Sequence, residues 1–180
     1  APLRAVLTPY QNVRVVHGDI LKLSISEIID QPNYIVAANI PYNITSLIIR
    51  HLLEADIKPR RVVLTIQKEV AERICAKPGD LSLLALSVQV YGKPSIAAHI
   101  PAESFHPAPK VDSAILRIDI YNEPLIPNEL LNTFFKLIKA GFSQKRKTLR
   151  NSLSSGLHIP ATEAQSLLTS AGIDLSLIHI

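Results

Sequence analysis

Short apolar runs that alternate with helical patterns are the feature that most limits how this chain can fold. Three such runs, rich in β-branched residues, stand at Asn12–Asp19, Tyr34–Asn39 and Arg61–Gln67. Helical periodicity follows the second and third runs, at Thr45–Glu54 and Lys68–Ala76. Continuous apolar strands that alternate with helices are typical of a mostly parallel sheet covered on both faces. We therefore predict an α/β fold that binds its ligand beyond the carboxyl ends of the strands.

The pattern changes in the second half of the chain. Leu81–Gly92 predicts a helix, and Lys93–Ile100 and Ser113–Ile120 predict two strands that are antiparallel neighbours. After a boundary near Glu123–Pro127 the signals are all helical, at Leu130–Ala140, at Ser143–Gly156 (which we expect Gly156 to end) and at Pro160–Ala171. We predict a partial sheet domain over residues 1–123 and a small all-α domain over residues 124–174.

The last six residues, Leu175–Ile180, continue no pattern of the helix before them. They match a translation of the transposon end used in sequencing libraries. We therefore predict that residues 175–180 are a non-native tail.

Composition excludes several classes of protein. Hydrophobic residues make up 47% of the 180 residues and charged residues 19%, which favours a packed core over disorder. No apolar run approaches about 18 residues and no signal-peptide pattern opens the chain, so we predict neither a membrane span nor a leader. Cys75 is the only cysteine and the histidines lack ligand spacing, so we expect no disulfide and no metal site. A reducing cytoplasm fits this cysteine content.

Asn39-Ile40-Pro41-Tyr42 marks the abrupt end of an apolar run. Pro41 fixes its own φ and pushes Ile40 toward extended geometry, so Asn39 and Tyr42 are held rigidly just past a strand. The exocyclic amine of a base is a poor nucleophile, because its lone pair is delocalised into the ring. An amide oxygen and a backbone carbonyl that accept its two N–H groups orient that lone pair toward an electrophile, and an aromatic ring stacks the flipped base. The alternative is an ordinary loop, in which these residue types are common.

Two further segments carry candidate binding residues. Asp19, after Gly18, is a carboxylate that can accept hydrogen bonds from a nucleoside amine, or simply a turn residue. Phe105 lies in a proline-stiffened loop before a strand. It is either a core residue or a second wall, opposite Tyr42, of a base-stacking slot.

Positive charge is concentrated near the C-terminus of a chain whose net charge is +4. Six cations and no acid lie between Lys136 and Arg150. Such a run is either a solvated helix face or a surface that contacts nucleic-acid phosphates.

Together these segments resemble the KsgA/RsmA type of small-subunit rRNA adenine dimethyltransferase. The resemblance rests on five stretches of sequence: "HGDIL" around Asp19, "NIPYNIT" from Asn39, "LTIQKEVAERI" from Leu64, "FHPAPKVDSAILRI" from Phe105 and "GFSQKRKTLRNSL" from Gly141. The last stretch discriminates most, because the related resistance methylases of large-subunit rRNA share the Asn-x-Pro-Tyr loop but do not usually carry it.

The resemblance implies a Rossmann-like class I methyltransferase, with S-adenosyl-L-methionine as cofactor and two adjacent adenosines near the 3′ end of 16S rRNA in the small ribosomal subunit as substrate. It implies cofactor contacts from Gly18, Asp19 and Asn39, and catalytic roles for Asn39, Pro41, Tyr42 and Phe105. It implies rRNA contacts from Lys145, Arg146, Lys147 and Arg150. We further expect a cytoplasmic monomer that uses no metal and binds no membrane.

The sequence departs from this family pattern at two places. The glycine-rich loop and the acidic ribose-binding residue of the family are not found, and we expect them upstream of Ala1, in a unit of about 60 residues. The 180 residues alone are therefore expected to bind cofactor poorly and to be inactive. The second departure is Gly79-Asp80-Leu81-Ser82, which stands where a Tyr-Gly-x-Leu-Ser pattern is usual.

Two rival functions remain. One is a sister methylase that acts on large-subunit rRNA or DNA, which the Ser143–Leu153 segment disfavours. The other is a catalytically inactive ribosome-assembly factor, which the retained Asn39–Tyr42 loop and Asp19 disfavour. A glycine-rich turn in the complete gene would decide against this second rival.

Overall fold

The computed structural model describes residues 2–175. Its helices and strands are, in chain order, α1 (Pro2–Leu7), α2 (Ile25–Ile28), β1 (Ile35–Asn39), α3 (Thr45–Leu53), β2 (Arg61–Gln67), α4 (Lys68–Ile74), α5 (Leu83–Gln89), β3 (Gly92–Ile100), β4 (Ser113–Ile120), α6 (Asn128–Gly141), α7 (Leu149–Leu157) and α8 (Ala161–Ser170). Short 3₁₀ turns occupy Tyr42–Ile44 and Ala102–Ser104. No helix within the described range is long and apolar enough to cross a membrane.

The four strands form one sheet in the order β1-β2-β4-β3. β1 and β2 are parallel, whereas β4 runs antiparallel to β2 and to β3. The predicted antiparallel pair is therefore confirmed, but the prediction of a mostly parallel sheet is wrong for the described strands. The reason is the connection at residues 101–112, which reverses the chain through a loop and has no α-helix to carry a parallel crossover.

Only one face of the sheet carries the main core. Alternate residues of β2 and β4, among them Leu64, Ile66 and Leu116, are fully buried and pack with apolar residues of α3, α4 and α5. On the opposite face of β1, Ile35 is 48% exposed. The prediction that both faces are covered is therefore wrong for residues 2–175, since the helices that contribute to this core pack on the Leu64 side.

The prediction of a first strand at Asn12–Asp19 is also wrong. This segment is irregular, and Val13 and Val16 are 43% and 46% exposed. A strand needs a neighbour that supplies cross-strand pairs and burial. β1 pairs with β2 alone among the described strands, so an apolar sequence by itself does not make Asn12–Asp19 a strand.

Helices α6 to α8 form a second, smaller core around Ala140, Leu153, Ala164 and Leu168. α6 belongs to both cores, because its Phe134 and Phe135 pack against the sheet cluster while Ala140 packs in the helical one. The domain boundary near Glu123–Pro127 remains a prediction. So does the non-native tail: Leu175 packs beside the helical core, and residues 176–180 lie outside the described range.

The predicted helix at Ser143–Gly156 needs two corrections. It begins at Leu149, since Thr148 caps it by accepting a hydrogen bond from the Asn151 N–H at 3.4 Å. Gly156 lies inside the helix and does not end it. A Cβ built on Gly156 would lie 2.6 Å from Cα and Cβ of Ala140, so the glycine permits α6 and α7 to pack closely.

We expect Gly156→Ala to destabilise the protein by about 1–3 kcal/mol, because a methyl group at this contact forces the two helices apart. The matched control is Gly141→Ala, whose Cβ would meet only the Leu149 Cδ1 at 3.5 Å. That change should be neutral or stabilising by up to about 1 kcal/mol, as alanine is the better helix former. Urea unfolding of both variants tests the pair, and equal stabilities would contradict the packing role of Gly156.

Candidate active site

The strand register brings several loops to one edge of the sheet. Asn39 ends β1 opposite Thr65, and Gln67 ends β2 opposite Ser113, the first residue of β4. Ser113 is also opposite Ile100, the last residue of β3. The turn after Asn39 and the loop at residues 101–112 therefore meet at this edge. Ligand binding at this edge remains a prediction.

Asn39 is presented to solvent by the alternation along β1. Its side chain is exposed, whereas the next residue, Ile40, is only 8% exposed and belongs to the core. Pro41 is extended, with φ −61° and ψ 131°, and the chain then makes a 3₁₀ turn from Tyr42. The Ile44 N–H donates to the Pro41 carbonyl at 3.2 Å, and Thr45 Oγ1 donates to the Tyr42 carbonyl at 3.0 Å. This turn is therefore braced on both sides of Tyr42.

Tyr42 is tied to the far side of the same edge. Its phenol hydroxyl is hydrogen-bonded to the hydroxyl of Ser113, and Ser113 is fully buried. The ring of Tyr42 itself is only partly buried. The contact therefore holds an accessible aromatic ring at the edge where the amide of Asn39 is exposed.

Phe105 lies at the same edge, in the loop between β3 and β4. Its N–H donates to the Ala102 carbonyl at 3.2 Å, and the Ala102 N–H donates to Asp112 Oδ1 at 3.0 Å. The Lys68 N–H donates to the Asp112 carbonyl at 3.0 Å. Phe105 is half-buried and belongs to neither hydrophobic core, which disfavours the core alternative and leaves the base-stacking role as a prediction.

A cavity of about 470 Å³ opens beside this loop. Its lining residues come from the end of β2, the start of α4 and the loop before β4: Gln67, Lys68, Glu69, Glu72, Ala102, Lys110, Val111 and Asp112. Sequence reasoning singled out none of these side chains, nor Ser113. The available signal was the position of Gln67 and Ser113, polar residues at the ends of apolar strands that register brings together.

Asp19 does not follow a strand, so its predicted place at a strand end is corrected. Its Oδ1 accepts from the Leu21 N–H at 3.1 Å, and its carbonyl accepts from the Lys22 and Leu23 N–H groups. A Cβ on Gly18 would lie 2.8 Å from Leu23 Cδ1, so a glycine fits this turn. The turn role that we left open is therefore present, while half of the carboxylate remains exposed. Cofactor binding by Gly18 and Asp19 remains a prediction.

The basic segment, defined as Lys145, Arg146, Lys147 and Arg150, surrounds the beginning of α7. The first three side chains are exposed and Arg150 is partly buried in the first helical turn. No ion pair formed within residues 2–175 includes any of the four. Their charge adds to the positive end of the α7 dipole, so the segment is suited to bind anions, although RNA contact remains a prediction.

Within residues 2–175, no group of three or more His, Cys, Asp and Glu side chains is placed to hold a metal ion.

Removing the Asp112 carboxylate should loosen the Phe105 loop. We expect Asp112→Ala to raise the hydrogen-exchange rate of the Ala102 amide by about 2- to 10-fold, the effect of one lost hydrogen bond. Glu103→Ala is the control, since it removes the same charge from the same loop and the Glu103 side chain makes no hydrogen bond to another residue within 2–175. Equal exchange in the two variants would show that Asp112 does not hold the loop.

Comparison with known proteins shows the family of the chain. A family model described as ribosomal RNA adenine dimethylase matches residues 1–175. The relative from Dehalococcoides mccartyi (strain CBDB1), named ribosomal RNA small subunit methyltransferase A, is 48% identical over 166 residues, which cover 92% of this chain and 57% of the relative. The relative of the same name from Alkaliphilus oremlandii (strain OhILAs) is 38% identical over 179 residues, covering 96% of this chain and 62% of its own. The chain thus spans about three fifths of the length of these curated relatives.

Solved structures give the same fold. The crystal structure of the 23S rRNA methyltransferase ErmE has a TM-score of 0.69 and 26% identity, with 98% of this chain and 70% of that chain covered. The dimethyladenosine transferase from Plasmodium falciparum has a TM-score of 0.72 and 28% identity, with 96% of this chain and 62% of that chain covered. The predicted Rossmann-like class I methyltransferase fold is therefore confirmed, and the chain belongs to the ribosomal RNA adenine dimethylase family.

Proposed function

We propose that the full-length protein uses S-adenosyl-L-methionine to dimethylate N6 of two adjacent adenosines near the 3′ end of 16S rRNA. The observation that carries the proposal is the exposed amide of Asn39 beside the tethered ring of Tyr42 at one sheet edge. The names of the curated relatives, ribosomal RNA small subunit methyltransferase A, support the small subunit as the source of the substrate.

In this mechanism the side chain of Asn39 acts on the amine of the target base. Its amide oxygen and a neighbouring backbone carbonyl accept the two N–H groups, which turns the nitrogen lone pair toward the incoming methyl group. The cofactor, when bound, would supply that methyl group from its sulfonium sulfur. The methylated amine would then release one proton to water. Pro41 contributes by fixing the backbone that joins Asn39 to Tyr42.

The chain offers a fit for one end of the cofactor. Asp19 has a half-exposed carboxylate, and its Oδ1 already accepts from the Leu21 N–H. Its Oδ2 lies 3.9 Å from the ammonium of Lys22, which is too long for a hydrogen bond, so Oδ2 can accept from an adenine amine. Asn39 would lie between cofactor and base. The 180 residues contain no G-x-G-x-x-G loop for the methionine end, so the fit of this chain is limited to the adenine side.

Tyr42 and Phe105 would flank the flipped adenine. Both residues are only partly buried, both lie in loops at the same sheet edge, and both loops are braced by hydrogen bonds. Stacking between two aromatic rings compensates the cost of removing a base from its helix.

The basic segment would contact rRNA phosphates, which position the substrate without reading its sequence. We propose that the protein acts as a cytoplasmic monomer on the small ribosomal subunit. ErmE, described as a 23S rRNA methyltransferase, is also similar in fold, so a sister activity on large-subunit RNA is the second candidate.

Labelled cofactor distinguishes these functions. We expect the full-length protein to label immature small subunits, with dimethyladenosine as the labelled nucleoside, and to leave large-subunit RNA and duplex DNA unlabelled. Asn39→Ala should abolish labelling, whereas the control Asn43→Ala, an exposed amide in the same loop, should retain it. Label in the other substrates would establish the sister activity. Tight binding to small subunits without label would establish an assembly factor.

Neutralising the basic segment should lower the affinity for RNA and should make that affinity less dependent on salt concentration. We expect the triple change of Lys145, Arg146 and Lys147 to Gln to reduce the slope of log affinity against log salt by about 2. The control removes three charges elsewhere on the surface, by changing Arg4, Arg60 and Lys93 to Gln. Equal slopes in both variants would indicate that the segment is only a solvated surface.

A further inference from the structure

Ser113 is one of three buried polar or charged side chains within residues 2–175, together with Thr45 and Ser152. Thr45 donates to the carbonyl of Tyr42 within one turn, and Ser152 donates to the carbonyl of Gln144 at 3.5 Å. Ser113 differs, because its hydroxyl meets another side chain, that of Tyr42, 71 positions away in the chain. A buried hydroxyl is costly without a partner, so Tyr42 is what makes a serine tolerable here.

We propose that Ser113 is a positioning residue that sets the orientation of the Tyr42 ring against the target base. The proposal deepens the proposed function and rests on it. Ser113 would touch neither the base nor the cofactor, and would act through the hydroxyl of Tyr42.

The two ends of this hydrogen bond differ in rigidity. Ser113 is opposite Gln67 on one side and Ile100 on the other, so the sheet fixes its backbone from both neighbours. Tyr42 lies in a three-residue 3₁₀ turn, and its ring is only partly buried. The bond therefore transfers the rigidity of the sheet to a ring that packing alone does not hold.

The second wall of the slot is anchored next to the first. Asp112 precedes Ser113, and it holds the turn before Phe105 through the Ala102 N–H and the start of α4 through the Lys68 N–H. Both aromatic loops are thus tied to adjacent residues at the start of β4. The distance between the rings of Tyr42 and Phe105 is then set by the rigid start of β4. A fixed distance suits a slot that must accept a flat base.

The engaged hydroxyl also assigns the role of Tyr42. Because its phenol hydroxyl is hydrogen-bonded to the buried Ser113, Tyr42 contributes its ring face to the site. We call this hydrogen bond the tether, since it holds the ring in place. Tyr42→Phe should therefore keep stacking but lose orientation, as Ser113→Ala should.

A double-mutant cycle in the full-length protein tests this. The probe is a small-subunit rRNA 3′-end hairpin with 2-aminopurine at the target adenosine, whose fluorescence reports stacking of the flipped base, and methyl transfer is followed on the adenosine hairpin. We expect Ser113→Ala and Tyr42→Phe each to lower kcat/KM by about 2- to 10-fold, mainly in kcat, and to change the fluorescence alike. The double variant should match either single variant, since both remove one bond.

Ser152→Ala is the matched control, because it also removes a fully buried serine hydroxyl. It should lower thermal stability without changing the fluorescence of the probe or kcat. Additive losses in the double variant, or an unchanged fluorescence in Ser113→Ala, would overturn the proposal. If Ser113→Ala does not fold, an unchanged probe signal in Tyr42→Phe would overturn it as well.

A separate readout distinguishes failure of the tether from failure of the proposed function. With 3-fluorotyrosine incorporated, the ¹⁹F resonance of Tyr42 is identified by its loss in Tyr42→Phe. We expect Ser113→Ala to shift this resonance whether or not the protein methylates RNA. An absent shift refutes the tether, whereas absent methylation by the unsubstituted protein refutes the proposed function.

Discussion

The antiparallel pairing of β2 with β4 is the constraint on which the candidate site depends. Seven residue pairs join these strands, from Arg61 opposite Asp119 at one end to Gln67 opposite Ser113 at the other. One face of the pair is the buried core, so a shift of one residue would move Leu64 and Leu116 to solvent. The same shift would take the hydroxyl of Ser113 away from Tyr42. Packing of the core and placement of the Tyr42 ring therefore depend on the same strand register.

The far end of this pairing is held by charge. Arg61 Nε lies 2.5 Å from Asp119 Oδ1, and Arg117 Nη2 lies 2.7 Å from Oδ2. Burial alone would raise the pKa of Asp119, but the hydrogen bonds from Arg117 and Arg61 outweigh it and hold the pKa below its usual value. This ion cluster thus stabilises the sheet above the ordinary carboxyl pKa, and its contribution is lost as the pH falls through the lowered pKa of Asp119. The side chains are more than a third exposed, so the contribution is modest.

Local sequence patterns predicted what local physics determines. β2 was predicted residue for residue, and β1, α3, α4, α8 and the β3–β4 pair were predicted closely, because periodicity, caps and turn residues act over a few positions. The prediction of a strand at Asn12–Asp19 was wrong, since strand formation depends on a neighbouring strand that the segment itself does not reveal. The prediction that Gly156 ends its helix was wrong for the same reason, because its role depends on a contact with Ala140 in another helix. In the site, Asn39 and Tyr42 were recognisable from their sequence motif. The place of Ser113 in the site becomes visible only when the register of β2, β3 and β4 is known.

The helical part connects to the sheet through α6, at the end of the strands away from the candidate site. Phe135 of α6 stacks on Tyr91, with ring centroids 6.2 Å apart, and Tyr91 immediately precedes β3. At its C-terminal end α6 packs through Ala140 against Gly156 of α7, the helix that begins within the basic segment. Under the proposed function, phosphates bound by the basic segment would be connected to the sheet by these packing contacts along α6, which is one continuous helix. Binding energy from these phosphate contacts would then help to orient an adenosine at the Asn39 edge, and remote contacts of this kind contribute to rate as well as to affinity.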